Sequence, residues 1–329
     1  MKAVQFSETG GPEVLQYVDV PDPIPGPNEV LVKVRSIGVN YTDVMTRAGL
    51  NHSINMPPLP SILGAEASGI VVAAGKGVTE VSVGESVAYY ANNSRSYAEL
   101  AVIPSWRAIR LPTGVSFDDA AATILQGMTA QHLCHTTHRI QKSESVLIHA
   151  AAGGVGLLLT QMIKELGATV IGTVSTEEKA KASKNAGADK VIIYTEKDFV
   201  TEIKQYTKGA GVNVVYDSVG ISTFGGSIES LARKGHMVIY GQASGPVPPV
   251  TLSTLYNKSL TLSRTNLLDY TATREELLLR ANDVFQRVQS GALKVNLYGK
   301  WPLKESSTAH QQLQGRETIG KVLLTPEKN

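Results

Sequence analysis

The spacing of hydrophobic and polar positions along this chain changes once, after the first third. Up to that point it is β-like. "EVLVKVRSIGVN" and "ASGIVVAAG" carry alternating or continuous β-branched residues, separated by Pro- and Gly-rich joints such as "PDPIPGPNE". "VSVGESVAYY" reads as a further strand pair turning at Gly84. Many short strands with frequent turns predict a compact, barrel-like β domain.

The period then lengthens. "SFDDAAATILQGMTAQHLCHTTH" opens on Ser116, a favourable N-cap, and sets Asp118 and Asp119 at the positive end of the predicted helix. Beyond it strands and helices alternate. The predicted strands are "SVLIHA", "ATVIGTV", "KVIIY", "VNVVYD", "HMVIYG" and "SLTLS". The helices between them are "VGLLLTQMIKELG", "STEEKAKASKNAG", the segment after Phe199, and "TFGGSIESLARKG". Such alternation predicts an α/β unit with a parallel sheet covered by helices on both faces. From about Leu267 a last helix, "TREELLLRANDVFQRVQSG", leads into a short mixed tail. That tail is too small to stand alone and is expected to fold back onto the first domain.

Size and composition narrow the class. The 329 residues exceed what one hydrophobic core usually serves, so two domains are expected. With 42% hydrophobic and 18% charged residues, the chain has the make-up of a soluble globular protein. A formal charge of +2, with Lys and Arg dispersed, lacks the basic footprint of a nucleic-acid binder. Cys134 is the single cysteine, which fits a reducing, cytoplasmic setting. The start, "MKAVQFSETG", has no apolar run behind its lysine and does not read as a secretory signal. The longest apolar stretch, Val146 to Thr160, is interrupted by His149 and three glycines and is too short to span a bilayer.

The chemistry concentrates at "HAAAGGVG", His149 to Gly156, between a predicted strand and a predicted helix. A dinucleotide turn needs a tight bend, close approach of backbone to pyrophosphate, and close helix–strand packing. Gly153 and Gly156 serve the last two needs. Ala151 stands where the first glycine is usual, and Gly154 adds freedom beside it. The amides of Gly153, Gly154 and Val155 then face the phosphates at the positive end of the helix. The next strand ends "GTVST", with no acid from Gly172 to Thr176 to hold a free ribose 2′-hydroxyl. Glu177 and Glu178 follow, but Ser175-x-x-Glu178 reads as a capping box. Thr173, Ser175 and Lys179 suit a 2′-phosphate, although Lys179 is equally readable as a solvated surface lysine. The cofactor is read as NADPH.

With "GAEASG" and "NYTD", these residues resemble the zinc-free quinone oxidoreductases, the zeta-crystallin-like branch of the medium-chain dehydrogenase/reductase superfamily. The likeness extends over "GGPEVL", "VVYDSVG", "TREEL" and "SG.LKV", essentially the whole chain. It implies a GroES-like substrate domain over 1–122, completed by 265–329, and a Rossmann NADPH-binding domain over 123–264 with the active site in the cleft. It also implies reduction of quinones by NADPH and a homodimer formed through the Rossmann domains. Residue by residue, the resemblance sets Asn40 and Asp43 at the nicotinamide end, and Lys179, Tyr194 and Arg316 around the 2′-phosphate. It sets Ser218, Val219, Tyr240, Gly241 and Ala243 beside the nicotinamide, while Gln126 and Thr129 lie at the domain junction. Met45 departs from the pattern, standing where relatives commonly have tyrosine.

Zinc-dependent members of the superfamily hold their metal with Cys and His. The corresponding positions here are Asn40 and Ala65, which offer neither thiolate nor imidazole, and Glu66 alone is not a metal site. In "HLCHTTH", His135 and His138 would share a helix face while Cys134 points elsewhere, a weak metal pattern better read as a helix end. A quinone needs no Lewis acid, because hydride transfer to it yields an aromatic hydroquinone. On the catalytic reading, Asn40 donates a hydrogen bond near the reacting oxygen or the nicotinamide ribose, and Asp43 orients it or relays a proton. On the other, both only bind cofactor and fix the loop. Two further readings stand beside quinone reduction: NADPH-dependent reduction of α,β-unsaturated carbonyls, and a crystallin-like or RNA-binding role.

Overall fold

The computed structural model describes residues 1–50, 56–92 and 94–326. The chain divides into two compact units, Met1–Gln126 with Thr273–Asn329, and Gly127–Ala272.

The first unit is β-rich. Its strands are β1 (Lys2–Phe6), β2 (Gln16–Asp19), β3 (Glu29–Val39), β4 (Ser61–Ile62), β5 (Glu66–Ala74), β6 (Ser86–Tyr90), β7 (Leu100–Pro104) and β8 (Ile109–Arg110). Helix α1 (Tyr41–Arg47) follows β3, and α2 (Phe117–His132) begins behind Ser116, whose hydroxyl accepts the Asp119 N–H at 3.0 Å. The long strand β3 organises the unit, pairing antiparallel with β5 and with β7. One side of these strands is apolar: Val30, Val32, Val34, Ile37 and Val39 pack with Ala67, Val71, Val87, Tyr89 and Ile103. The expected strand pair around Gly84 is not formed. Gly84 has φ +93° and the Glu85 carboxylate accepts the Ser82 N–H, so these residues make a tight turn and only Ser86–Tyr90 is extended.

The second unit is a six-stranded parallel sheet. In chain order it contains β9 (Ser145–Ile148), α3 (Gly154–Glu165), β10 (Thr169–Val174), α4 (Glu177–Asn185), β11 (Lys190–Ile193), α5 (Phe199–Tyr206), β12 (Val212–Asp217), α6 (Ile221–Ser230), β13 (Leu231–Ile239), α7 (Leu252–Tyr256) and β14 (Thr261–Arg264). The spatial order β11-β10-β9-β12-β13-β14 is that of the doubly wound dinucleotide fold. Its central strands are almost uniformly apolar, as expected where helices cover both faces of a sheet. The helix expected over "TFGGSIESLARKG" stops at Ser230. Leu231 instead joins the sheet opposite Val212 and enters the core, which outweighs the helical propensity of the residues around it.

The tail adds α8 (Arg274–Gln289), β15 (Leu297–Pro302), α9 (Ser306–Gln314) and β16 (Lys321–Thr325). Thr273 caps α8 in a reciprocal box with Glu276. β16 pairs antiparallel with β3, matching Val322 to Val39, and carries β15 on its other edge. The first residue of β16, Lys321, is thereby brought beside the end of β3.

Candidate functional site

In the second unit, β9 runs into the glycine turn. Gly153 caps α3, and the first intrahelical bond runs from Leu157 N–H to the Gly153 carbonyl. The amides of Gly154, Val155 and Gly156 therefore precede the helical ladder. The left-handed residue of the turn is Ala150 (φ +51°), one position before Ala151. A Cβ on Gly156 would lie 2.5 Å from the Ala150 carbonyl oxygen and 2.8 Å from Ala151 Cα, so α3 reaches this distance from β9 only with glycine there. The alanine in place of the first glycine is accommodated by a second exchange: a Cβ on Gly172 would sit 2.7 Å from Ala151 Cβ. The methyl group at 151 occupies room that β10 leaves open.

His149 is wholly enclosed behind the turn. Its Nδ1 lies 2.8 Å from Thr173 Oγ1 and its Nε2 lies 2.9 Å from Ser227 Oγ. Burial depresses its pKa, against the pull of Asp217, so the imidazole is neutral. Thr173 is thus engaged inside the unit. Asp217, at the end of β12, accepts the Val219 and Gly220 amides on Oδ1 and the Thr223 and Ser227 hydroxyls on Oδ2. This carboxylate shapes the loop bearing Ser218 and Val219. The loop after β13 is laced to it, with Ala243 N–H on the Ser218 carbonyl and Ser244 N–H on the Val219 carbonyl. Gly241 lies against Ser218, and burial pushes the Tyr240 hydroxyl up to about 12.

At the end of β10 three of the expected residues meet. Lys179 Nζ donates to Ser175 Oγ at 3.3 Å, and Tyr194, following β11, bonds through its amide to the Val174 carbonyl. The capping box expected from Ser175 and Glu178 is absent. Thr176 is the N-cap, its hydroxyl accepting the Lys179 N–H, while Glu177 and Glu178 are exposed on the first turn of α4. The register is shifted by one residue, so Ser175 stays outside the helix and its hydroxyl faces the Lys179 ammonium. No carboxylate stands between Gly172 and Thr176. Thr129 is buried on α2 in this unit, whereas Arg316 belongs to the first unit, in the turn after α9 with φ +59°.

The first unit holds a buried polar cluster at the start of α1. Asn40, the N-cap, donates its amide N–H to Asp43 Oδ2 at 2.8 Å. The same oxygen accepts the Tyr97 hydroxyl at 3.2 Å, and His310 Nε2 lies 3.0 Å from that hydroxyl. Burial pushes Asp43 up to about 7, against the Asn40 amide and the Lys321 charge, and holds His310 down at about 3. Asp43 Oδ2 thus accepts two donors, the Asn40 backbone amide and the Tyr97 hydroxyl. Asn40 Nδ2 donates to Glu66 Oε1 at 2.6 Å, and Asn40 Oδ1 accepts Lys321 Nζ at 2.9 Å and Gln126 Nε2 at 3.3 Å. Lys321 also pairs with Glu66, while Gln126 Oε1 has no partner among the described residues. Met45 is half-buried on α1.

Sequence reasoning passed over Glu66 as a lone carboxylate and did not notice Lys321, Tyr97 or His310. Lys321 had a signal: a lysine opening the otherwise apolar strand "KVLLT". The other two carried none. The presence of an ammonium against Glu66 and Asn40 makes this donor set a poor one for zinc. The histidine run also changes meaning. Helix α2 ends at His132, Leu133–Thr137 form a π-turn, and His138 is extended, so His135 and His138 do not share a helix face. His138 instead pairs with Glu144 and His236. Among the described residues no three His, Cys, Asp or Glu side chains are grouped to hold a metal ion.

Comparison with known proteins fits this geometry. Residues 26–144 match the alcohol dehydrogenase GroES-like domain, and residues 154–282 match the zinc-binding dehydrogenase family. The chain is 43% identical to quinone oxidoreductase 1 of Escherichia coli (strain K12), covering 98% of this chain and 99% of that protein. It is 37% identical to a 2-haloacrylate reductase of a Burkholderia species, with 99% of each covered. The crystal structure of E. coli quinone oxidoreductase complexed with NADPH superposes with a TM-score of 0.95 at 43% identity, over 99% of this chain and 100% of that one. A mycobacterial protein complexed with NADPH gives a TM-score of 0.94 at the same 43% identity, with 99% and 100% covered. With both chains matched nearly end to end at this identity, the protein belongs to the quinone oxidoreductases, the zeta-crystallin-like branch of the medium-chain dehydrogenase/reductase superfamily.

Proposed function

We propose that this chain is an NADPH:quinone oxidoreductase that works without zinc. The observation that carries the reading is the corner at the end of β10, where Ser175 meets Lys179 and no acid lies from Gly172 to Thr176, in a chain matched end to end by quinone oxidoreductases. Gly153, Gly154 and Val155 would hold the pyrophosphate, and Ser175, Lys179, Tyr194 and Arg316 the 2′-phosphate. Ser218, Val219, Tyr240, Gly241, Ala243, Thr129 and Asn40 would each serve the nicotinamide end. The close fit of α3 to β9, which a single Cβ would spoil, supports a backbone cradle of this kind.

The bound cofactor supplies the hydride. The protein's own part is positioning and charge. Asn40 donates a hydrogen bond toward the reacting quinone oxygen, and the unpaired carbonyl of Gln126 receives a hydroxyl or amide of the ligands. Asp43, titrating near neutrality, holds the proton that the second quinone oxygen requires.

The test is NADPH oxidation, with NADH as control, across small quinones and a straight-chain enone. A second reading, reduction of activated carbon–carbon double bonds, is favoured by the kinship with a 2-haloacrylate reductase, and the enone arm decides it. Lys179→Ala is expected to raise the KM for NADPH about 10- to 100-fold, the worth of a hydrogen bond to a charged group, and to leave that for NADH unchanged. Equal effects on both cofactors would remove Lys179 from the 2′-phosphate site.

The substrate is a small molecule, the location a reducing cytoplasm, and the assembly a homodimer through the second unit. β14 ends the parallel sheet, and Leu252 and Tyr256 stand more than 80% exposed on α7, just before it. Light scattering is expected to give twice the 35.1 kDa chain mass, and a monomer at micromolar concentration would refute the dimer.

A further inference from the structure

Lys321 and Glu66 are among the most deeply enclosed side chains of the first unit, 2% and 0% exposed, and both carry charge. Exchanging such a pair for apolar residues of similar shape is often neutral or stabilising, so stability is a weak reason for its presence. An apolar pair would lack control over the neighbouring carboxamide. Lysine has only donors and a carboxylate only acceptors. Asn40 Oδ1 therefore faces the ammonium at 2.9 Å, and Asn40 Nδ2 faces Glu66 Oε1 at 2.6 Å. Turning the amide over would set its NH₂ against a cation and its carbonyl against an anion. Glu66 is itself anchored, because its Oε2 accepts the Leu125 amide of α2 at 3.0 Å. Gln126, the next residue, adds a second donor to Asn40 Oδ1.

Oδ1 accepts two hydrogen bonds and one Nδ2 hydrogen lies on Glu66, so the other N–H of Asn40 has no partner among the described residues. We propose that Lys321 and Glu66 form a charged clamp that fixes the Asn40 carboxamide in one orientation and presents its remaining N–H to the oxygen of the substrate. Both are positioning residues, acting through Asn40. The proposal rests on the functional reading above only for what that N–H meets.

Removing one charge alone strands the other, so the test uses Lys321→Met/Glu66→Gln, which buries no lone ion. With selective ¹⁵N-asparagine labelling, the Asn40 side-chain NH₂ pair of the parent protein is expected to exchange slowly with water. In the double variant the same pair should exchange as quickly as exposed asparagines do. This readout needs no substrate. In turnover, the double variant should lose about 10- to 100-fold in kcat, with the KM for NADPH within about threefold. Adding Asn40→Ala should then cost no more than about twofold, because the clamp's effect passes through that residue. An unchanged NH₂ exchange rate, an unchanged kcat, or fully multiplicative losses on adding Asn40→Ala would each overturn the clamp. Failure of the parent protein to reduce any quinone or enone would instead overturn the functional reading, and the exchange measurement would still decide the clamp.

Discussion

Gly156→Ala is expected to lower kcat/KM for NADPH-dependent turnover about 100-fold, the scale on which a displacement of about 1 Å acts. The added methyl group would meet the Ala150 carbonyl oxygen at 2.5 Å and Ala151 Cα at 2.8 Å. Both contacts are backbone, so no side chain can swing aside, and helix α3 must retreat from β9. The amides of Gly154 and Val155 retreat with it, away from the phosphates they would bind. Overpacking of this kind also costs about 1–3 kcal/mol of stability, which a denaturant titration would register. Gly153→Ala is the graded control. Its Cβ would find only the Ala150 carbonyl, at 3.2 Å, and its backbone (φ −75°, ψ 170°) is open to any residue. It should lose far less than Gly156→Ala in both assays. Equal losses would show that backbone flexibility, and not helix–strand distance, governs the turn.

Lys321→Met taken alone is expected to destabilise the protein by about 3–5 kcal/mol, because it leaves Glu66 charged and without a cation in the core. The first unit would melt on the order of 10 °C lower, at about 2–4 °C per kcal/mol for a unit of this size. Most of that loss should be recovered in Lys321→Met/Glu66→Gln, which buries no lone ion and keeps a carboxamide oxygen as acceptor for the Leu125 amide. Differential scanning calorimetry of the two variants against the parent protein checks this. If the single variant melted where the parent protein does, the Glu66–Lys321 pair would not be the charged unit described here.

The dinucleotide unit was legible because its information is local. Most strands centre on a short apolar run, each helix has its own period, and the turn is announced by consecutive small residues between them. The acid-free end of β10 was equally readable, since a ribose-binding carboxylate lies at a fixed distance along the chain. Boundaries were less secure. The α4 cap fell on Thr176 and not Ser175, because two adjacent hydroxyl residues offer the same capping chemistry and only the path of the chain chooses between them. The helix after β12 ended early because Leu231 was claimed by the sheet. His135 and His138 lost their common face because a π-turn replaced the regular spacing on which the expectation relied.

Sequence by itself determined the class of each unit, the glycine elbow, the acid-free run from Gly172 to Thr176 and the identities Asn40 and Ala65. These depend on residue type and short spacing, which the chain order preserves. Tertiary structure alone decided the polar centre around Asn40, because its members lie far apart in sequence: Glu66 is 26 residues from Asn40 and Lys321 is 281. The pairing of β16 with β3 brings them together, and burial gives the meeting its force. In water a lysine, a glutamate and an asparagine would barely influence one another; enclosed together, each dictates how the others point.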